Sequence, residues 1–181
     1  MPSTLDFNGL YGVTEEQALN FWVYNLQETM GVKRWSQIRD STGIYLASVL
    51  ANFCLESIDR KEILSSDYNP GVRNFRQFAD LTQIAEMMLR QLASANNPRW
   101  MESAGAHILL YAGFFNSQNR GRHNIDFFSR IGRDCYCMAA VGNRERTMKL
   151  MAEGFDEYLF SLADLHKCLN EKKYLIKPTG K

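Results

Sequence analysis

The sequence predicts an all-α protein: a single-domain helical bundle of about six or seven helices, built around two central apolar helices. Three observations carry this. Apolar residues recur at three- and four-residue spacing in segment after segment, while no segment sustains two-residue alternation and no hairpin dipeptide lies between β-branched runs. Two stretches, 44–55 and 100–115, are apolar around most of a helical circumference, which belongs in the middle of a domain. A chain of 181 residues, 45% hydrophobic and 23% charged, can also bury roughly 70% of its unfolded surface without disulfide or metal staples. The bundle is expected over 1–171, with 172–181 a basic flexible tail.

The first helix starts at a capping box, Thr14-Glu15-Glu16-Gln17, with Val13 and Ala18 placed as a hydrophobic staple. Leu19, Trp22, Val23, Leu26 and Met30 follow at helical spacing, and Gly31 is expected to stop the run. The second helix should begin near Ser41-Thr42 and run to about Asp59, with Tyr45, Ser48, Asn52 and Glu56 as one narrow polar stripe that bonds locally or to a neighbouring helix. A turn-rich linker over 65–71 contains Asn69-Pro70-Gly71. Phe75, Phe78, Thr82, Ala85, Leu89 and Leu92 then mark a long helix, read as bundle packing with a dimer seam as the alternative.

Asn96-Asn97-Pro98 ends that helix, and Trp100 to Phe115 forms the second buried one. Gly105 and Gly113 weaken its propensity by up to ~1 kcal/mol each, so their use is close approach of another helix. After a polar loop, Asn124 caps a helix with Asp126 set against its dipole; Ile125, Phe128, Gly132, Cys135 and Ala139 mark one face, flanked by Phe127, Ile131 and Met138, and Asp126, Arg130, Arg133, Asp134 and Cys137 lie on another. Gly142-Asn143 break the chain. The last helical stretch runs from about Arg144 to Asn170, interrupted near Gly154, with Phe155, Leu159, Leu162 and Leu169 inward.

The net charge of +1 conceals an asymmetry: residues 1–90 carry eight Lys/Arg against eleven Asp/Glu, and residues 91–181 carry thirteen against nine. The surplus concentrates in 116–149, with seven basic groups against three acidic. A local surplus argues against a general nucleic-acid binder. Trp35 and Trp100, beside basic residues, are stacking candidates or loop anchors. Cys54, Cys135, Cys137 and Cys168 lack a disulfide-framework spacing and read as reduced thiols. Residues 1–6 carry no leader-like run, Met1-Pro2 excludes N-myristoylation, and the longest apolar stretch, 104–115, is too short to cross a bilayer of about 30 Å. The expected location is cytoplasmic, with no membrane association.

There is no phosphate loop, dinucleotide turn, nucleophile elbow, HExxH or paired CxxC, and no di-iron Glu-x-x-His, so no metal and no cofactor is expected. His107 and His166 read as core histidines; a Ser103–His107 couple is within geometric reach but lacks an orienting acid. The best site candidate is the polar loop entering the helix at Asn124. Arg120, Arg122 and His123 crowd a helix N-terminus, where free amides favour an anion, and Arg130 and Arg133 follow one and two turns on. The competing reading is a solvated face with Asp126–Arg130 and Arg130–Asp134 pairs, each worth a few tenths of a kcal/mol.

Residues 46–53 (LASVLANF), 105–115 (GAHILLYAGFF) and 127–136 (FFSRIGRDCY) resemble, in order and character, a group of uncharacterised bacterial all-helical proteins. The resemblance covers about half the chain and brings no catalytic residues. It implies that Gly105, Gly113, Gly132 and Tyr136 are architectural.

With 22 aromatic residues (11 Phe, 8 Tyr and 3 Trp) and 8 Met, the chain carries more apolar surface than one small domain needs. The leading expectation is a non-enzymatic protein acting through protein–protein contact, either self-association into a homo-oligomer or a regulatory partner. The alternative is an enzyme or small-ligand binder with an anion site at Arg120, Arg122, His123, Arg130 and Arg133. Weak nucleic-acid binding ranks third.

Overall fold

A computed structural model describes residues 14–38, 42–57, 97–115 and 124–171. The described residues are helical, with no strand among them: α1 (Glu15–Ile38), α2 (Ile44–Ser57), α3 (Pro98–Ile108) continued by a π-helical segment (Leu109–Phe114), α4 (Ile125–Ala139), a 3-10 turn (Gly142–Arg144), α5 (Glu145–Glu153) and α6 (Phe155–Glu171). The all-α single-domain bundle is as expected. The linker over 65–71, the helix over 75–92 and the tail at 172–181 lie outside the described residues.

The start of α1 is the expected capping box. The Thr14 amide donates to Gln17 Oε1 at 2.9 Å and the Gln17 amide to Thr14 Oγ1 at 3.2 Å, so two orphan donors are satisfied reciprocally. Val13, the other half of the expected staple, is outside the described residues. Gly31 interrupts the helix with φ 76° and ψ 156°, a region that only glycine adopts readily. The first helical run therefore stops at Gly31 as expected, and α1 is two helical runs joined across a kink. The chain bends there and resumes helically to Ile38, because Trp35 offers a further apolar anchor: it is buried, with its ring against Gly43. That burial takes Trp35 out of contention as a base-stacking platform.

The two apolar helices form the centre. In α2, Tyr45 through Cys54 are all buried, and Ser48 donates to the Tyr45 carbonyl at 2.7 Å, the local bond expected of it. Asn97 caps α3, accepting from the Arg99 and Trp100 amides, with Pro98 in the first helical turn, so these two residues open a helix. Burial is unbroken from Met101 to Leu110. The backbone then widens, the Phe115 amide bonding the Leu110 carbonyl five residues back at 2.9 Å.

Packing follows the glycines. α3 lies on α4, α1 on α2, α4 on α5, and α6 against the π-helical segment and α1. A Cβ on Gly105 would stand 3.0 Å from the Tyr136 ring, one on Gly113 3.2 Å from the Leu159 Cα, and one on Gly132 2.2 Å from Phe155 Cζ. Close approach is thus the use of both α3-side glycines, and Gly132 makes the third such contact. Trp22, Leu26, Leu46, Leu50, Phe114, Phe115, Tyr136 and Phe155 fill the space between the helices.

Candidate functional site

Arg120, Arg122 and His123 lie outside the described residues. Arg130 and Arg133 are described, and they line one cleft. Asn124 accepts from the Phe127 amide at 3.1 Å and fixes the start of α4, so positions 126, 129, 130 and 133 fall along one side of that helix. Opposite them stand Asp156, Leu159, Phe160 and Ala163 of α6, with Ala112 of the π-helical segment between; the enclosed volume is about 330 Å³. The described part of the segment, from Ile125 to Arg133, therefore faces a cleft.

The charge in the cleft differs from a simple basic patch. Asp126 and Asp156 line it together with Arg130 and Arg133, so these four groups carry no net charge. Ser129 Oγ donates to Asp156 Oδ1. Arg133 Nη1 lies 3.7 Å from Asp156 Oδ2, an ion pair too long to be a hydrogen bond. The expected Asp126–Arg130 and Arg130–Asp134 pairs are not formed: the ion pairs among the described residues are Arg34–Glu157, Arg133–Asp156, Arg144–Glu102 and Lys149–Glu145. Asp156 escaped the sequence reading because it belongs to another helix, and only the α4–α6 packing brings it to the arginines.

A second, shallow and largely open groove lies where α1 bends. Met30, Val32, Lys33 and Arg34 line it from α1, Glu157 and Phe160 from α6. Val32 is 75% exposed and Phe160 70%, while Arg34 Nη2 reaches Glu157 Oε2 at 3.2 Å and the Glu157 carbonyl at 3.3 Å. The bend at Gly31 turns Val32 outwards, away from the face that carries Trp22 and Leu26. Nothing in the residue pattern signals this, since Val32 falls after the glycine expected to end the helix.

A third cluster is interior. Glu102 is 3% exposed, and Arg144 from the 3-10 turn meets it with both terminal nitrogens at 2.8 Å. Nη1 donates to Oε2; Oε1 is ionically paired but off the hydrogen-bonding direction. Arg144 also lies over the Tyr45 ring, 5.8 Å from its centre. Tyr45 donates to the Tyr136 hydroxyl at 3.4 Å, and their rings meet edge to face. Burial pushes the Glu102 carboxyl above its ordinary range, against the pull of Arg144. Burial raises both phenols too, that of Tyr45 with the Glu102 charge beside it. Sequence reasoning placed Tyr45 in a polar stripe and Tyr136 among architectural residues, but the Glu102–Arg144 pair spans 42 positions and has no local signature.

His107 and His166 are buried as expected. His107 stacks on Tyr111 at 4.4 Å, and His166 lies against Phe114 and Phe115. Ser103 Oγ donates to the Arg99 carbonyl at 3.1 Å, so its proton is directed to its own helix rather than to His107. The four cysteines are free thiols; Cys54 and Cys135 are buried, and burial pushes Cys135 up to about 12. Among the described residues no group of His, Cys, Asp and Glu is arranged to hold a metal, and no helix is long and apolar enough to cross a membrane. Compared with protein-family models, curated proteins and solved structures, the chain matches none.

Proposed function

We propose that the protein is a non-enzymatic helical module that works through protein–protein contact, and that the contact is with a second copy of the same chain. The observation that carries this is the pair Val32 and Phe160, both largely exposed in one groove beside the α1 bend. Single exposed apolar residues are normal on a surface; two of them side by side in one groove, at the bend of α1, support a contact site there. A second copy is supported by the mixed charge of the patch: Lys33, Arg34 and Glu157 put both signs on it, and although Arg34 and Glu157 pair within the chain, such a patch can complement itself across a two-fold axis. We take the compartment to be the cytoplasm, a reading supported by four free thiols.

Sedimentation equilibrium of the full chain tests this. The expected mass is twice 20.9 kDa at tens of micromolar, with Val32→Glu shifting the protein to monomer while its helical circular dichroism is retained. A mass of 20.9 kDa at the highest soluble concentration overturns self-association.

A second reading, a small-ligand site, has its own support: Arg130 and Arg133 share a cleft of about 330 Å³, at the lower end of ligand-pocket sizes.

A further inference from the structure

We infer that the α4–α6 cleft takes a small zwitterion with an apolar body, of the size of a free amino acid or a dipeptide, rather than a simple anion. The inference rests on the small-ligand reading of the cleft and is independent of the α1 groove. Its basis is the relation between Asp126 and Arg130. They stand four residues apart on α4, where side chains are neighbours about 5–6 Å apart at Cβ and opposite charges can pair. Both line the cleft, and no ion pair joins them among the described residues. A ligand carrying both charges close together can bridge them, its ammonium on the Asp126 carboxylate and its carboxylate on the Arg130 guanidinium.

Arg133 and Asp156 support that arrangement. The 3.7 Å between Arg133 Nη1 and Asp156 Oδ2 leaves the guanidinium's donors uncommitted to that carboxylate, so Arg133 can share the ligand's carboxylate with Arg130. Asp156 is held by Ser129 at Oδ1, which fixes the counter-charge beside Arg133. An anion alone would meet two arginines but also two carboxylates, and the described charges of the lining cancel. A cation alone meets the same cancellation. Only a ligand with both signs uses all of the cleft's polarity. The remaining lining is apolar: Ala112, Ile125, Leu159, Phe160 and Ala163. An aliphatic side chain of leucine size fits that surface, and 330 Å³ leaves room for a second residue.

The probes are L-leucine and L-leucyl-L-leucine, with 4-methylpentanoate (the carboxylate without the amine) and 3-methylbutylamine (the amine without the carboxylate) as matched controls. Melting of the full chain at pH 7 is followed with each. One or both zwitterions should raise the melting temperature by about 3 °C at ten times Kd, and neither control should move it at the same concentration. Arg130→Gln and Asp126→Asn, at exposed positions, should each abolish the response while melting within about 1 °C of the parent without ligand. If 4-methylpentanoate shifts melting as far as leucine, the zwitterion assignment is overturned and the cleft is an anion site. If no probe shifts melting up to its solubility limit, the ligand reading of the cleft falls with it. A leucine response that survives both substitutions places the binding elsewhere and refutes the proposal.

Discussion

Replacing Arg144 with methionine separates the charge of the interior cluster from its packing. Methionine keeps the unbranched stem as far as the position of Nε, and Glu102 loses its cation. Breaking a fully buried pair by removing one partner costs about 3–5 kcal/mol. The Arg144 side chain is 25% exposed, so water shares part of its charge, and the expected loss for Arg144→Met at neutral pH is about 2–3 kcal/mol. At about 2–4 °C per kcal/mol for a chain of this size, melting should fall by about 4–12 °C.

The pH dependence distinguishes lost charge from lost packing. Glu102 is already raised by burial, and Arg144 is the strongest influence holding it down, so the substitution raises it further. An acid whose folded pKa lies above its unfolded value stabilises the fold most below the unfolded value, near 4.5. That stability declines as pH rises towards the folded value. The Arg144→Met penalty should therefore be small at pH 5 and full at pH 8. Urea unfolding at the two pH values measures it directly. Glu102→Gln supplies the control. It removes the charge that must be desolvated, leaves Arg144 able to turn to water, and should cost about 1–2 kcal/mol with no such slope. An Arg144→Met loss equal at pH 5 and pH 8 would refute the account of the pair, and so would a loss under about 0.5 kcal/mol.

Gly132→Ala should destabilise by about 2–3 kcal/mol, because its Cβ would fall 2.2 Å from Phe155 Cζ and that ring is wholly buried beside Tyr136. Gly31→Ala meets no atom within 4 Å and should still cost about 1–3 kcal/mol through its backbone angles alone; thermal melting of each reads the loss, and an unchanged Gly132→Ala would mean that the α4–α6 contact is looser than described. Titration of the native protein with a thiol reagent should label Cys137 rapidly and leave Cys54 and Cys135 unlabelled until urea exposes them. Burial lifts Cys135 to about 12, so almost no thiolate is present at pH 8; fast native labelling at both buried sites would contradict the core assignment.

Features legible in the sequence were those that a single helix encodes by itself. The capping box at Thr14, the cap at Asn124, the break at Gly154 and the inward faces of α4 and α6 are local, and each follows from three- and four-residue spacing or from one side chain bonding its neighbours. Gly105 and Gly113 were legible as points of close approach, because a glycine within an apolar helix has few other uses. What those glycines admit was not legible: the Tyr136 ring and the Leu159 backbone come from helices far along the chain. The stop at Gly31 was legible for the same local reason as the caps, whereas the second helical run to Ile38, anchored by the buried Trp35, was not. Charge pairing failed as a local inference. The i,i+4 rule offered Arg130 two partners on its own helix, yet Arg133 was the residue that found a carboxylate, across the gap to α6.

The two candidate surfaces have a common origin in α6. Its Phe155, Leu159, Leu162, Leu165 and Leu169 are buried, and Gly113 lets its backbone settle closely against the π-helical segment. Seating the helix that deeply leaves Phe160 at the boundary between its neighbours on either side, lining both the cleft with α4 and the groove with α1. An aromatic ring exposed there adds nothing to the core and is exposed to water, a cost of order 1 kcal/mol relative to burial. Its position at a shared wall gives that exposure a use in either concavity. It also makes Phe160 a poor residue for telling them apart, since truncating it alters both. Of these two surfaces Val32 lines the groove and not the cleft, and Arg130 the cleft and not the groove, so association and ligand binding separate at those two positions, and a protein in which both fail together from either substitution would have one site where the fold presents two.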